Sequence, residues 1–224
     1  MMERHSVRKY QTRPIEPEKV SQLQALINEC NQAGGLHIQL VLNEPKAFST
    51  GLFSYGKFTG VTNYIAMICR KGEDTTLGYY GEKIVLTAQA LGLNTCWVAL
   101  TYSKQKDKYQ ILPGEKLICV IALGYGENQG VPHPQKKGID HYCKIQGEMP
   151  EWFRHGMEAV LLAPTAINQQ KFEFQLTSGN HVRAVTRSTI LNPYPRIDLG
   201  IAMYHFELGA GQENFVWDKE SWKN

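Results

Sequence analysis

The chain has no long apolar run. Its hydrophobic residues, 42% of the whole, are dispersed, and none of their clusters approaches the roughly 20 residues of a membrane-spanning helix, so no membrane partner is expected. The start lacks the apolar core of a secretory leader, because Glu3, Arg4, Arg8 and Lys9 interrupt it, and a cytoplasmic protein is expected. Cysteine is sparse: Cys30, Cys69, Cys96, Cys119 and Cys143 are odd in number and widely spaced, with no Cys-x-x-Cys and no His-rich partner. They read as reduced packing thiols, with neither disulfide nor metal. A surplus of one charge is also missing. The formal net charge is +3 and the basic residues form no stripe, so nucleic acid is not expected as a partner. A dinucleotide fingerprint is absent too, since Gly124-Tyr125-Gly126 is a short Gly-x-Gly with no helix after it.

What is present is enough for a core. A chain of 224 residues with 20% charged residues can bury one compact unit or two intimately packed halves. Pro17 suits a helix start, and Val20, Leu23, Leu26, Ile27 and Cys30 keep helical spacing until Gly34-Gly35. Leu36, Ile38, Leu40 and Leu42 alternate as a strand. A buried strand is read over 64–69, a helix over 76–91, and strands over 95–100 and 117–123. The loop from Gly124 to Gln135-Lys136-Lys137-Gly138 marks a boundary, which divides the chain into 1–138 and 139–224. A helix then opens at Pro150 with Trp152, Phe153, Met157, Val160 and Leu161 on its apolar face. A hairpin follows over 172–177 and 182–186, then a helix over 198–208 and a strand over 215–217. Without a strict βαβ rhythm, the fold class is α+β.

Two short motifs carry chemistry. Arg4-His5-Ser6-Val7-Arg8 gathers two guanidiniums and a hydroxyl in five residues, the planar charged donor set a phosphate needs. Ala163-Pro164-Thr165-Ala166-Ile167-Asn168-Gln169-Gln170 follows an apolar helix, where small polar groups and backbone amides can read a heteroaromatic edge. Each has a plain alternative, a solvated basic tail for the first and an ordinary loop for the second. Phe53, Tyr55, Phe58 and Tyr64 could cover a ring, but as aromatics near a strand they read first as core or loop anchors.

Together the motifs resemble the FMN-dependent nitroreductase superfamily. Arg4 to Tyr10 is similar to its phosphate-binding Arg-x-Ser-x-Arg/Lys opening, and Pro164 to Gln170 to its Pro-Ser-x-x-Asn-x-Gln-Pro-Trp loop. Ala90-Leu91-Gly92-Leu93-Asn94-Thr95-Cys96-Trp97 is similar to its Ala-Leu-Gly-Leu-Gly-Thr-x-Trp segment. The split order resembles the single-chain branch, which implies an α/β/α sandwich of two degenerate halves, an intramolecular pseudo-dimer that needs no partner chain and is a monomer.

The resemblance implies an FMN-dependent oxidoreductase carrying electrons from NADH or NADPH to a nitroaromatic, quinone or similar small acceptor. It places Arg4, Ser6 and Arg8 on the phosphate and ribityl chain, with His5 contributing through backbone or ring. Lys136 and Lys137 stand where late basic residues reach the same phosphate, and a solvated loop is the alternative for that pair. Pro164, Thr165 and Asn168 would face the isoalloxazine. Leu100 or Thr101 would offer a backbone amide near N5, where many relatives have Glu-Gly and this chain has Ala99-Leu100. Lys171-Phe172 likewise replaces Pro-Trp. These departures support a competitor, a non-catalytic flavin- or ligand-binding pseudo-dimer; a third reading, an enzyme that consumes or fragments FMN or removes a halogen, shares the pocket and differs only in its substrate loops. No catalytic acid or base is assigned.

Overall fold

The computed structural model describes residues 1–49, 58–134, 137–187 and 194–223. The chain forms two compact units, one of Glu3–Lys71 and Ile84–Pro132, the other of Met1–Met2, Gly72–Lys83 and His133–Asn224.

In the first unit, helix α1 (Pro17–Gly34) ends at Gly35, whose φ of 64° and N–H to Asn31 O form a left-handed cap. Leu23, Ile27 and Cys30 are its buried stripe. The strand read over 36–42 is shorter, β1 (Gln39–Val41). Asn31 explains this: its Nδ2 donates to Ile38 O at 2.8 Å and its Oδ1 accepts from Ile38 N at 2.7 Å, so a side chain takes the groups a ladder would have used. Strand β2 (Asn63–Arg70) is buried at every position but the last. Helix α2 (Asp74–Ala90), whose residues up to Lys83 belong to the second unit, strand β3 (Asn94–Val98) and strand β4 (Glu115–Gly124) follow. The sheet is antiparallel in the order β1-β2-β4-β3.

The register places Val41, Tyr64, Ala122 and Cys96 in one row across the four strands. Side chains two residues apart share that face, which adds Ala66, Val120 and Val98. Val7, Tyr10, Ala47, Val61 and Tyr109 join it in one buried cluster, with Phe48, Phe58 and Tyr102 packed beside them. Phe58 and Tyr64 are therefore core aromatics, as the plain reading had it; Phe53 and Tyr55 lie outside the described residues.

The second unit holds the sheet of β5 (Cys143–Lys144), β6 (Phe172–Leu176), β7 (His181–Thr186) and β8 (Val216–Trp217). Its centre is the hairpin read from the sequence, and each outer strand is a parallel pairing of two residues. β5 left no sequence signal because two residues are too few to alternate. Helix α4 (Pro195–Ala210) packs on the hairpin and helix α3 (Glu151–Val160) packs on α4. Glycine permits these approaches: a Cβ at Gly156 would lie 2.6 Å from the Phe206 ring, and one at Gly200 would lie 2.0 Å from Thr75 O. Phe174 stacks on Phe206 with centroids 5.1 Å apart. Helices and two sheets without a βαβ succession make the fold α+β, as expected. Among the described residues, no helix is long and apolar enough to cross a membrane.

Candidate functional site

The basic motif at the start of the chain is a tied strand, not a solvated tail. Ser6 bridges Thr95 in parallel, and Val7 N donates to Thr95 O at 3.1 Å. Thr59 N donates to Arg8 O at 3.0 Å, Tyr10 N to Thr59 O at 2.8 Å and Glu127 N to Lys9 O at 2.9 Å. Val7 and Tyr10 are buried anchors; Arg4 is also buried, while Arg8 is exposed. Arg4, Ser6 and Arg8 nevertheless share a neighbour, Cys96. All three act on one thiol: burial pushes Cys96 up, while the charges of Arg8 and Arg4 and a hydrogen bond with Ser6 pull it back. Burial also pushes the Tyr10 hydroxyl well up, with Cys96 adding to the effect and Arg8 opposing it.

A clamp holds this segment in register. Buried Asn94 accepts from Gly126 N at 2.9 Å through Oδ1 and donates to Gln129 Oε1 at 2.9 Å through Nδ2. A Cβ at Gly126 would lie 2.4 Å from Asn128 O and 2.9 Å from Val7 Cγ1, so Gly126 serves a close backbone approach. His5 is half-buried, and burial followed by the Arg4 charge pushes its imidazole down. Leu100 stands just beyond β3 at 80% exposure, and Thr101 beside it is half-buried.

The second motif forms a strained loop in the other unit. After α3 and the buried Ala163, a 3-10 turn covers Ala166–Asn168. Ile167, Asn168 and Gln170 have φ of 46°, 54° and 49°, a left-handed backbone that is unfavourable for any of them and worst for β-branched Ile. Such a conformation persists where surroundings over-determine it, and here they do. Asp198 Oδ1 accepts from Ala166 N at 2.9 Å, Thr165 Oγ1 from Gln170 N at 3.0 Å, and Gln170 Oε1 from Tyr142 OH at 3.0 Å. Asn168 Nδ2 donates to Pro134 O at 3.3 Å. Pro164, Thr165 and Asn168 are half-buried.

Arg4, His5, Ser6, Arg8, Leu100 and Thr101 thus belong to one unit, and Lys137, Pro164, Thr165 and Asn168 to the other. Lys136 lies outside the described residues. Lys137 Nζ is bonded to His141 Nε2 at 3.1 Å.

Residues 1–210 match the model of a protein family described as "Putative TM nitroreductase". The chain belongs to this nitroreductase family. Among solved structures it is similar to a "putative nitroreductase" from Thermotoga maritima MSB8, at 25% identity over 95% of this chain and 82% of that one, with a TM-score of 0.59. An FMN-dependent nitroreductase from Clostridium difficile R20291 aligns at 19% identity over 56% of this chain and 84% of its own, with a TM-score of 0.43. A "Putative NADH dehydrogenase/NAD(P)H nitroreductase" from Parabacteroides distasonis ATCC 8503 aligns at 19% over 61% and 90%, with a TM-score of 0.46. No curated protein sequence matches the chain.

Family and fold make this protein a nitroreductase-like oxidoreductase. Within this nitroreductase-family chain, sequence reasoning missed the residues that hold the motifs in shape. Asn94 stands where the compared segment has Gly, and that departure was its signal. Asp198 opens the apolar run of α4, where a carboxylate needs a buried donor; here the donor is Ala166 N. Gln170 was quoted as part of the loop, but its role as a strut beneath it could not be read from spacing.

Proposed function

We propose that this nitroreductase-family chain is an FMN-dependent oxidoreductase that takes electrons from NADH or NADPH and passes them to a nitroaromatic, quinone or similar small acceptor. The observation that carries the reading is the convergence of Arg4, Ser6 and Arg8 on the Cys96 thiol from one tied segment. Two guanidiniums and a hydroxyl near one thiol on a tied segment suit a phosphate ester, which accepts several charge-assisted hydrogen bonds at once. The strained, internally braced loop suits a fixed polar edge. The residues present therefore fit FMN.

In this reading Arg4, Ser6 and Arg8 bind the phosphate and ribityl chain, His5 supports them, and Lys136 and Lys137 add positive charge. Pro164, Thr165 and Asn168 contact the ring, and Leu100 or Thr101 presents a backbone N–H to it. When bound, FMN supplies hydride acceptance and onward electron transfer. The chain's part is to hold the cofactor by charge, orient its ring by amide donors and stabilise negative charge on it. The degenerate halves 1–138 and 139–224, the monomeric state and a cytoplasmic location belong to the same proposal.

The deciding experiment is the visible spectrum of freshly purified protein before and after anaerobic NADH or NADPH, with any cofactor released and identified. Stoichiometric FMN that bleaches with a nicotinamide nucleotide is the expected result. A colourless protein that ignores added FMN overturns the reading in favour of a relic fold that binds something else.

A further inference from the structure

Three cationic groups of the second unit gather around one exposed imidazole. His141 lies in the 3-10 turn Ile139–His141 that leads into β5. Its Nε2 stands 3.1 Å from Lys137 Nζ and 3.2 Å from Arg187 Nη1. Ammonium and guanidinium groups only donate, so Nε2 is the acceptor for both and the ring is neutral. Lys171 and Arg187 face each other across the open end of the β6–β7 hairpin, where Arg187 N donates to Lys171 O at 2.8 Å. Lys137, Arg187 and Lys171 all push the His141 imidazole down, behind the effect of burial.

The opposing charge is already committed. Buried Glu173 accepts from Arg187 Nη2 at 2.9 Å, pairs with Lys144 Nζ at 2.9 Å and accepts from Gln175 at 2.8 Å. Asp140, next in sequence to His141, is an exposed carboxylate. Glu173 therefore fixes the direction of Arg187, and that preorganisation lowers the cost of binding at its other amino group. One neutral nitrogen is a weak acceptor for two cationic donors, and an anionic oxygen in its neighbourhood would be a stronger one.

We infer that Lys137, His141, Lys171 and Arg187 form a binding site for the dianionic phosphate monoester of a nucleotide. A phosphate monoester offers three acceptor oxygens and a second ionisation near the imidazole range, which matches three permanent cations and one titratable ring better than a single carboxylate would. The site lies within the second unit; Lys137 is the one residue it shares with the flavin reading, while His141, Lys171 and Arg187 stand outside that reading. Its ligand chemistry is shared by the 2′-phosphate of NADPH and the 5′-phosphate of FMN, and the test separates the two.

The experiment is a titration of the full-length protein with inorganic phosphate, against chloride at matched ionic strength, followed by the NMR signals of the His141 ring. Saturable, phosphate-specific movement is expected, with an upward shift of the His141 titration. Lys137→Ala and Lys171→Ala, both exposed, should together weaken phosphate binding by about tenfold or more while leaving the thermal midpoint unchanged. Competition by NADPH but not NADH assigns the site to the 2′-phosphate, whereas competition by FMN but not riboflavin returns these residues to the flavin reading and overturns a separate site. An identical response in phosphate and chloride overturns the site. So does phosphate binding that ignores both substitutions, or that no phosphate monoester displaces.

Discussion

The two units bury polarity differently, although the first also holds one matched carboxylate, Glu44, which accepts from Lys46 N at 2.8 Å. In the first, the hydroxyls of Tyr10, Tyr64 and Tyr109 are buried in the cluster over one sheet face, with no hydrogen-bond partner among the described residues. In the second, fully buried Glu82 and His205 meet at 3.0 Å, Glu173 has three partners, and Asp198 holds the strained loop. A bare phenol stays neutral and costs about 1–3 kcal/mol; a bare carboxylate costs far more and must be matched. In the proposed reading the first unit presents the guanidiniums of its opening motif to a ligand, whereas the second commits Glu82, Glu173 and Asp198 to the fold. Removing charge should weaken binding in one unit and stability in the other.

The sharpest way to break that contrast is at Glu82. His205 Nδ1 lies 3.1 Å from Ala159 O, so it carries a proton, and the contact between Nε2 and Glu82 holds one more. Glu82→Leu strands the imidazole at a site with no exposure and should cost roughly 3–5 kcal/mol, read by urea denaturation. Glu82→Gln can still donate to a neutral Nε2 and should recover most of the loss. Unchanged stability in the leucine variant would show that the buried pair is not structural.

Glu173 gives the next effect and a pH signature. Burial works to raise its carboxyl, but hydrogen bonds from Gln175, Lys144 and Arg187 outweigh it and hold the group down from 4.5 to about 2. Below 4.5 the unfolded chain binds the proton more readily, so this contribution is complete above pH 4.5 and is lost as pH falls through 2. Glu173→Gln should lower stability at neutral pH by roughly 2 kcal/mol and flatten the acid limb of the profile. A parallel acid limb in wild type and variant would remove Glu173 from the account.

Arg8 tests the other side. It is exposed, and in the proposed reading its guanidinium meets phosphate. Arg8→Ala should weaken FMN binding about ten- to a hundredfold, while the apoprotein's stability changes by less than about 0.5 kcal/mol. Full flavin retention in the variant would take the phosphate away from this motif.

The same contrast explains what could be read from the chain beforehand. Period and punctuation reveal elements whose own residues make them, so α1, β2, β4, the β6–β7 hairpin and α4 were legible within a few residues. β1 was overdrawn because Asn31 captures Ile38, a side-chain competition invisible to alternation. β5 was missed because its pairing with Phe174 and Gln175 is remote in sequence. At the candidate site, donors announced themselves by type at Arg4, Ser6, Arg8 and Asn168. The struts Asn94, Gln170 and Asp198 did not, since each acts through a partner that only the fold brings near. Lys137 was read as a phosphate residue, yet His141 and Arg187, which face it, carried no motif.

The smallest predicted effect separates the two basic groups directly. His141 titrates below the ordinary 6.5, first through burial and then through Lys137, Arg187 and Lys171. Lys137→Ala removes one of those charges, so the His141 titration should move up toward 6.5, measured by NMR in chloride buffer without phosphate. The linkage fixes the sign for stability. Between the depressed value and 6.5 the unfolded chain holds more protons, so wild type loses stability as pH falls through that window and the variant loses less. Arg8→Ala lies in the other unit and should leave the His141 titration where it is. If Arg8→Ala moves it as far as Lys137→Ala does, the two basic groups form one electrostatic system and the division of labour between the units is wrong.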